Sequence, residues 1–219
     1  MSKEAALRAE MTELCRSLFE RGYVHGTAGN VSARLGDVIL MSPTRSSLGR
    51  LSPEALSLVT TDGAHIGGPP ATKEAALHLG IYRERPETGA VVHLHSTFST
   101  ALSCLADTDP EDALPPITPY LLMRVGRVPL VPYHQPGSDA LAEAVRQKAR
   151  DHRAVLMANH GFVVAGRTFA DAVANAEEFE ENAKLLLLTR GQKINLLGAA
   201  HIAALHAMKE GWVSLVERI

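Results

Sequence analysis

The run RAVLMANHGFVVAG, residues 153–166, constrains the fold more than any other stretch of this chain. It reads as two apolar strands meeting at Asn159, His160 and Gly161. Strands joined by so short a turn run antiparallel, because a parallel pair needs a crossover of about a dozen residues or more. Around this hairpin, helical and strand patterns alternate. In residues 2–21, Leu7, Met11, Leu14 and Leu18 recur at three- and four-residue steps, which predicts an amphipathic helix stopped by Gly22. Short strands around Gly-rich turns follow in GTAGNVSARLGDVILMSPT. GGPPATKEAALHLGIYRERP predicts a loop and then a helix, with Thr72 as a candidate cap and Pro86 as its end. GAVVHLHS predicts a strand, STFSTALSCLA a helix, residues 107–119 a loop rich in Pro and Asp, and VPLVPY a short strand. Further helices are predicted over 138–152, 168–189 and 198–215, the second with Phe169, Val173, Ala176, Phe179 and Ala183 on one face. No linker, repeat or low-complexity tract interrupts residues 1–219, so a single α/β domain with a central, partly antiparallel sheet is the expectation.

Composition narrows the function classes. At 219 residues and 46% hydrophobic content, the chain buries enough surface to fold without disulfides. Cys15 and Cys104 form no CxxC pair, so neither a zinc knuckle nor a redox motif is indicated, and a reduced cytoplasmic setting is expected. A formal net charge of -2 gives no reason to expect a nucleic-acid partner. No segment approaches the roughly 20 apolar residues that span a bilayer, so no membrane partner is expected.

The chemistry concentrates at three places. In VVHLHST, His93 and His95 point to one face of the strand and Leu94 to the other. Two imidazoles so placed can share one metal ion, or can be two hydrogen-bonded histidines of a polar pocket. His160 lies where a strand breaks into a turn, and Glu74 opens the helix before the histidine strand. His78, one turn beyond Glu74, reads as a core or cap-neighbour residue. The small-residue turns GTAGN, SPTRSS and PATKE offer backbone N–H groups and hydroxyls suited to an anion such as phosphate. The absence of GxxxxGK[ST] and GxGxxG disfavours a nucleotide.

Taken in order, GTAGNVSAR, SPT, KE before a helix, VVHLHS, TPY and NHG resemble the class II aldolase/adducin-head family, from about residue 8 to 190. The resemblance implies a three-layer α/β/α fold with a mixed, largely antiparallel sheet, and a homotetramer with active sites between neighbouring subunits. It implies a divalent cation, Zn²⁺ with Mn²⁺ or Co²⁺ as alternatives, held by residues matching His93, His95 and His160. Glu74 matches the catalytic acid/base, which can also approach the metal, and Tyr120 matches a tyrosine proposed as proton donor. Phosphate contacts map onto Gly29, Asn30, Thr44, Arg45, Thr72 and Lys73.

KEAALHLGIYRERP, AVVHLHSTFSTALSCL, ITPYLLMRVGRVPLVPY and LMANHGFVVAG resemble the 3-oxo-tetronate 4-phosphate decarboxylases of the family in particular. The sugar-phosphate aldolases usually carry Ser where Lys73 stands and lack the TPYLLMR segment. Arg45 stands where Gly is usual, so a reshaped phosphate loop is an expectation, and Thr72 replaces the usual Ser. The reaction implied removes CO2 from a phosphorylated sugar acid through a metal-stabilised enediolate, leaving dihydroxyacetone phosphate. Aldol cleavage of an L-fuculose-phosphate type reaches the same enediolate, and epimerase and dehydratase chemistry occurs on the same fold. A non-catalytic adducin-like module is expected to lack the metal set that this chain retains.

Overall fold

The computed structural model describes residues 2–205 and 207. Eight strands form one sheet in the order β4-β3-β2-β1-β5-β8-β7-β6. They are β1 (Asn30–Leu35), β2 (Val38–Met41), β3 (Ser57–Thr60), β4 (His65–Gly67), β5 (Ala90–Leu94), β6 (Leu130–Val131), β7 (Ala154–Met157) and β8 (Gly161–Gly166). All neighbouring pairs are antiparallel except β6 with β7, so the sheet is mixed and largely antiparallel, as expected. β6 is shorter than VPLVPY predicts, and the flanking Pro129 and Pro132 have no N–H for the ladder.

Five α-helices cover the two faces: α1 (Lys3–Glu20), α2 (Ala75–Glu84), α3 (Thr97–Ser103), α4 (Asp139–Ala149) and α5 (Phe169–Leu188). Each begins and ends close to where the pattern places it, because local chemistry fixes the ends. Ser2, Ser138 and Thr168 accept backbone N–H groups at the starts of α1, α4 and α5. One core cluster joins α1, α3 and α5 to Val31, Ala33, Val92, Leu94, Phe162 and Val164. The other joins α2 and α4 to Val91, Val155, Met157, Val163 and Ala165. Strand residues alternate between the two clusters, which is the three-layer arrangement. The predicted face of α5 is buried, with Phe179 stacked on Phe162 at 4.2 Å. A turn of π-helix over Leu121–Val125 was not expected. Residues 199–205 and 207 are helical, and the rest of the helix predicted over 198–215 lies outside the described residues. Cys15 and Cys104 are both free thiols. No helix among the described residues is long and apolar enough to cross a membrane.

Candidate active site

The period of β5 decides where the histidines go. Val92 and Leu94 enter the α1/α5 core, so His93 faces the α2 side, fully buried, and His95 follows it just past the strand end. Their Nε2 atoms are 2.9 Å apart. His93 Nδ1 lies 2.8 Å from the Phe162 carbonyl. An N–H there donates to that oxygen and leaves the Nε2 lone pair pointing into the site.

His160 comes from the β7–β8 turn, with Asn159 before it in a left-handed conformation at φ 55°. A Cβ on Gly161 would lie 2.4 Å from the Leu94 carbonyl oxygen, so only glycine lets this turn approach the histidine strand. Gly29 approaches the same strand from the β1 side, at φ 72°, where a Cβ would meet the His93 oxygen at 2.8 Å. The histidine strand is thus gripped between two glycines.

Glu74 sits at the N-cap of α2, but its side chain turns away from capping. Thr72 Oγ1 accepts the Glu74 N–H at 3.3 Å, so the expected Thr72 cap serves the turn before α2 rather than its first helical turn. Glu74 Oε2 accepts from Asn30 Nδ2 at 2.7 Å and lies 3.3 Å from His93 Nε2. Oε1 lies 3.6 Å from His160 Nε2. Burial alone would raise the Glu74 carboxyl, but His93, the Asn30 amide and His160 outweigh it and hold the group well below the usual carboxylate range. Burial, reinforced by His93, pushes His95 down to about 3 and His160 down to about 4. Both rings are therefore neutral near pH 7, the form that ligates a metal.

Glu74, His93, His95 and His160 each offer one donor atom, all within 4.8 Å of one another. Glu74 Oε1 and both ring nitrogens of His160 are buried without a hydrogen-bond partner. Leaving such atoms unpaired costs about 1–3 kcal/mol each, which a shared cation would offset. Three imidazoles and a carboxylate suit a divalent ion of the zinc type. The residues present therefore fit a metal.

Beside this cluster opens a cleft of about 490 Å³. Gly29, Asn30, Thr44, Arg45, Thr72 and Lys73 all line it, together with Glu74, His95 and His160. Two of the predicted anion-binding turns are stitched together: Thr44 N donates to the Pro70 carbonyl at 3.0 Å and Thr72 N to the Ser42 carbonyl at 3.1 Å. Arg45 adopts φ 58°, a conformation that glycine enters without penalty. The loop therefore holds the arginine in a backbone conformation that glycine adopts most readily. Thr27 and Ser46, which belong to the GTAGN and SPTRSS turns, also line the cleft, as does Pro136, which carried no sequence signal. Tyr120 is not among the lining residues and is 61% exposed.

The sequence reading also missed what holds Glu74. Glu74, His78 and Tyr82 lie at i, i+4 and i+8 along α2, and Asn30 and Ser32 at i and i+2 along β1. The two rows interlock through buried hydrogen bonds: Tyr82 Oη to Ser32 Oγ at 3.0 Å, Ser32 Oγ to His78 Nδ1 at 2.8 Å, and His78 Nε2 to Asn30 Oδ1 at 2.5 Å. His78 is thus a bridging residue as well as a core one. The polar residues at helix spacing were the available signal.

The fold and the cluster of three histidines and a glutamate define a class II aldolase-type lyase scaffold. The chain belongs to the class II aldolase and adducin N-terminal domain family, whose pattern it matches over residues 9–187. It is 50% identical over 195 residues to the 3-oxo-tetronate 4-phosphate decarboxylase of Haemophilus influenzae, covering 89% of this chain and 93% of that protein. Its identity to the L-fuculose phosphate aldolase of Methanocaldococcus jannaschii is 39% over 181 residues, 83% of this chain and 96% of the other. Among solved structures, YgbL of Escherichia coli, described as a candidate aldolase/epimerase/decarboxylase, superposes with a TM-score of 0.91 at 46% identity. That match covers 93% of this chain and 99% of the other.

Proposed function

We propose that this protein is a metal-dependent carboxy-lyase that converts a 3-oxo-tetronate 4-phosphate to dihydroxyacetone phosphate and CO2. The observation that carries the reading is that a cleft lined by Arg45, Lys73, Thr44 and Thr72 opens directly onto the Glu74, His93, His95 and His160 cluster. Identities of 45–50% to five proteins named as that decarboxylase favour it over aldol cleavage.

His93, His95 and His160 would hold the cation, for which Zn²⁺ is proposed, with Mn²⁺ or Co²⁺ as substitutes, and Glu74 stands close enough to join them. Bound there, it supplies Lewis-acid stabilisation of the negative charge that builds on the substrate's ketone and hydroxyl oxygens. The remaining work belongs to the chain. Lys73 and Arg45 bring positive charge to the cleft, and Thr44 and Thr72 bring hydroxyls, to orient a terminal phosphate. Gly29 lines the cleft, and Asn30 has a second Nδ2 hydrogen beyond the one given to Glu74. Loss of CO2 leaves an enediolate, and the ionised Glu74, with Oε1 turned toward His160, is the group proposed to pass a proton from solvent to the enediolate carbon, completing dihydroxyacetone phosphate.

Tyr120, exposed and outside the cleft of its own chain, is proposed to act as proton donor in a neighbouring subunit's site, within a homotetramer whose active sites lie between subunits. A reduced cytoplasmic setting is proposed on the two free cysteines. The test is incubation of metal-loaded protein with 3-oxo-tetronate 4-phosphate and, separately, with L-fuculose 1-phosphate. Stoichiometric CO2 and dihydroxyacetone phosphate from the first are expected. Aldehyde release from the second, with no CO2 from the first, would assign the site to aldol cleavage instead.

A further inference from the structure

We propose that Tyr82, Ser32, His78 and Asn30 form a one-directional hydrogen-bond relay that fixes the Glu74 carboxylate, with His78 as its central positioning residue. The inference rests on the reading of Glu74 as the proton-moving group and adds what orients it. Every link has one permissible sense. Asn30 lies 2.7 Å from Glu74 Oε2, and the oxygen-to-oxygen arrangement there would be repulsive, so the amide nitrogen faces the carboxylate and Oδ1 faces His78. His78 Nε2, 2.5 Å from Oδ1, must then carry a hydrogen. The ring is completely buried, and its two nitrogens face a serine hydroxyl and an amide oxygen rather than a carboxylate, so it is held neutral and Nδ1 is an acceptor. Ser32 therefore donates its hydroxyl hydrogen to Nδ1 at 2.8 Å. With that hydrogen spent, Tyr82 donates to Ser32 Oγ at 3.0 Å.

The chain of donors begins in the core and ends on Oε2. It leaves Oε1 as the one carboxylate oxygen without a partner, buried and 3.6 Å from His160 Nε2. The relay thus divides the two oxygens: one is anchored and the other is presented. None of the four relay residues needs to touch a reacting atom for this. Without the Ser32 hydroxyl, His78 loses the reason to protonate Nε2, and the Asn30 amide loses the reason to keep its nitrogen toward Glu74.

Two measurements test the relay. The first is ¹⁵N NMR of histidine-labelled, metal-free protein, with the His78 signals assigned by their loss in His78→Gln. The expected result is the neutral Nε2–H tautomer; an Nδ1–H tautomer or an imidazolium at pH 7 would overturn the proposal whether or not any variant folds. The second is the kinetics and metal content of Ser32→Ala. Partners one shell behind a reacting centre typically cost roughly 10–100-fold when removed, so kcat is expected to fall by that factor with KM and bound metal unchanged. Full kcat, or a loss that tracks metal or KM alone, would overturn it. Failure of the Glu74 reading shows separately, as full activity in Glu74→Gln, and the tautomer does not depend on that result.

Discussion

Replacing Gly29 by alanine tests whether the close approach of β1 to the histidine strand is what shapes the metal-ligating cluster. Two terms oppose the substitution. Gly29 stands at φ 72°, and the left-handed region costs a residue with a Cβ about 1–2 kcal/mol. The new carbon would also lie 2.8 Å from the His93 carbonyl oxygen and 3.2 Å from Leu94 Cδ2. Overpacking of this kind costs about 1–3 kcal/mol, because backbone on one side and a core leucine on the other must give way. Gly29→Ala is therefore expected to cost about 2–5 kcal/mol and to lower the melting temperature by about 4–20 °C for a chain of this length. Gly26 supplies the control: it has φ 56° but nothing within 4 Å of its Cβ position. Gly26→Ala incurs only the backbone term, about 1–2 kcal/mol. Calorimetric melts of the two variants and the parent, each metal-free and with added Zn²⁺, separate the terms. The gain in melting temperature on adding metal should shrink in Gly29→Ala, since His93 must shift. Equal melting temperatures and equal metal responses in the two variants would refute the reasoning.

Glu74→Gln should retain bound metal and lose roughly 10²–10⁴-fold in rate, the usual worth of acid–base catalysis, read by turnover beside elemental analysis. Arg45→Gly removes a charge but not a backbone conformation, since Arg45 already holds φ 58°. Its KM for a phosphorylated substrate should rise by about tenfold, the low end for a hydrogen bond to a charged group, while the melting temperature does not fall. Burial places the His78 pKa at about 3 in the folded chain against an ordinary 6.5. The unfolded chain therefore takes up this proton first, and the folded state loses stability as pH falls from about 6.5 toward 3. Melts of the metal-free protein should show that decline, and His78→Gln should make it shallower.

Much of the site was legible because it follows short-range rules. Alternation along a strand puts His93 and His95 on one side, and a tight turn between two apolar strands puts His160 at the end of a hairpin. Glu74 was placed at the opening of α2 by the same kind of reasoning, and the structure puts it at the N-cap. What alternation does not give is which two strands lie side by side. The register Asn30 to His93 and Ser32 to Val91 is a tertiary fact, and it alone brings Asn30 and Ser32 under α2. The relay through His78 was hidden for that reason. Read along α2 only, His78 is a polar residue on a buried face; read across β1, it is the partner of the Asn30 amide oxygen and of the Ser32 hydroxyl. Arg45 reads from the sequence only as a departure from glycine, and the left-handed backbone it holds at φ 58° is set by a loop conformation that residue type does not report. Tyr120 was singled out by its motif alone, and it lies exposed and outside the cleft of its own chain.

The most direct measurement is CO2 release from 3-oxo-tetronate 4-phosphate by the purified protein through a chelation cycle: as loaded with metal, after removal of the metal, and after one equivalent of Zn²⁺ is returned. Metal-dependent decarboxylation at the His93, His95 and His160 cluster predicts turnover in the first state, none in the second, and recovery in the third, with one metal bound per chain. Undiminished CO2 release from the metal-free protein, or none in any state, would contradict it.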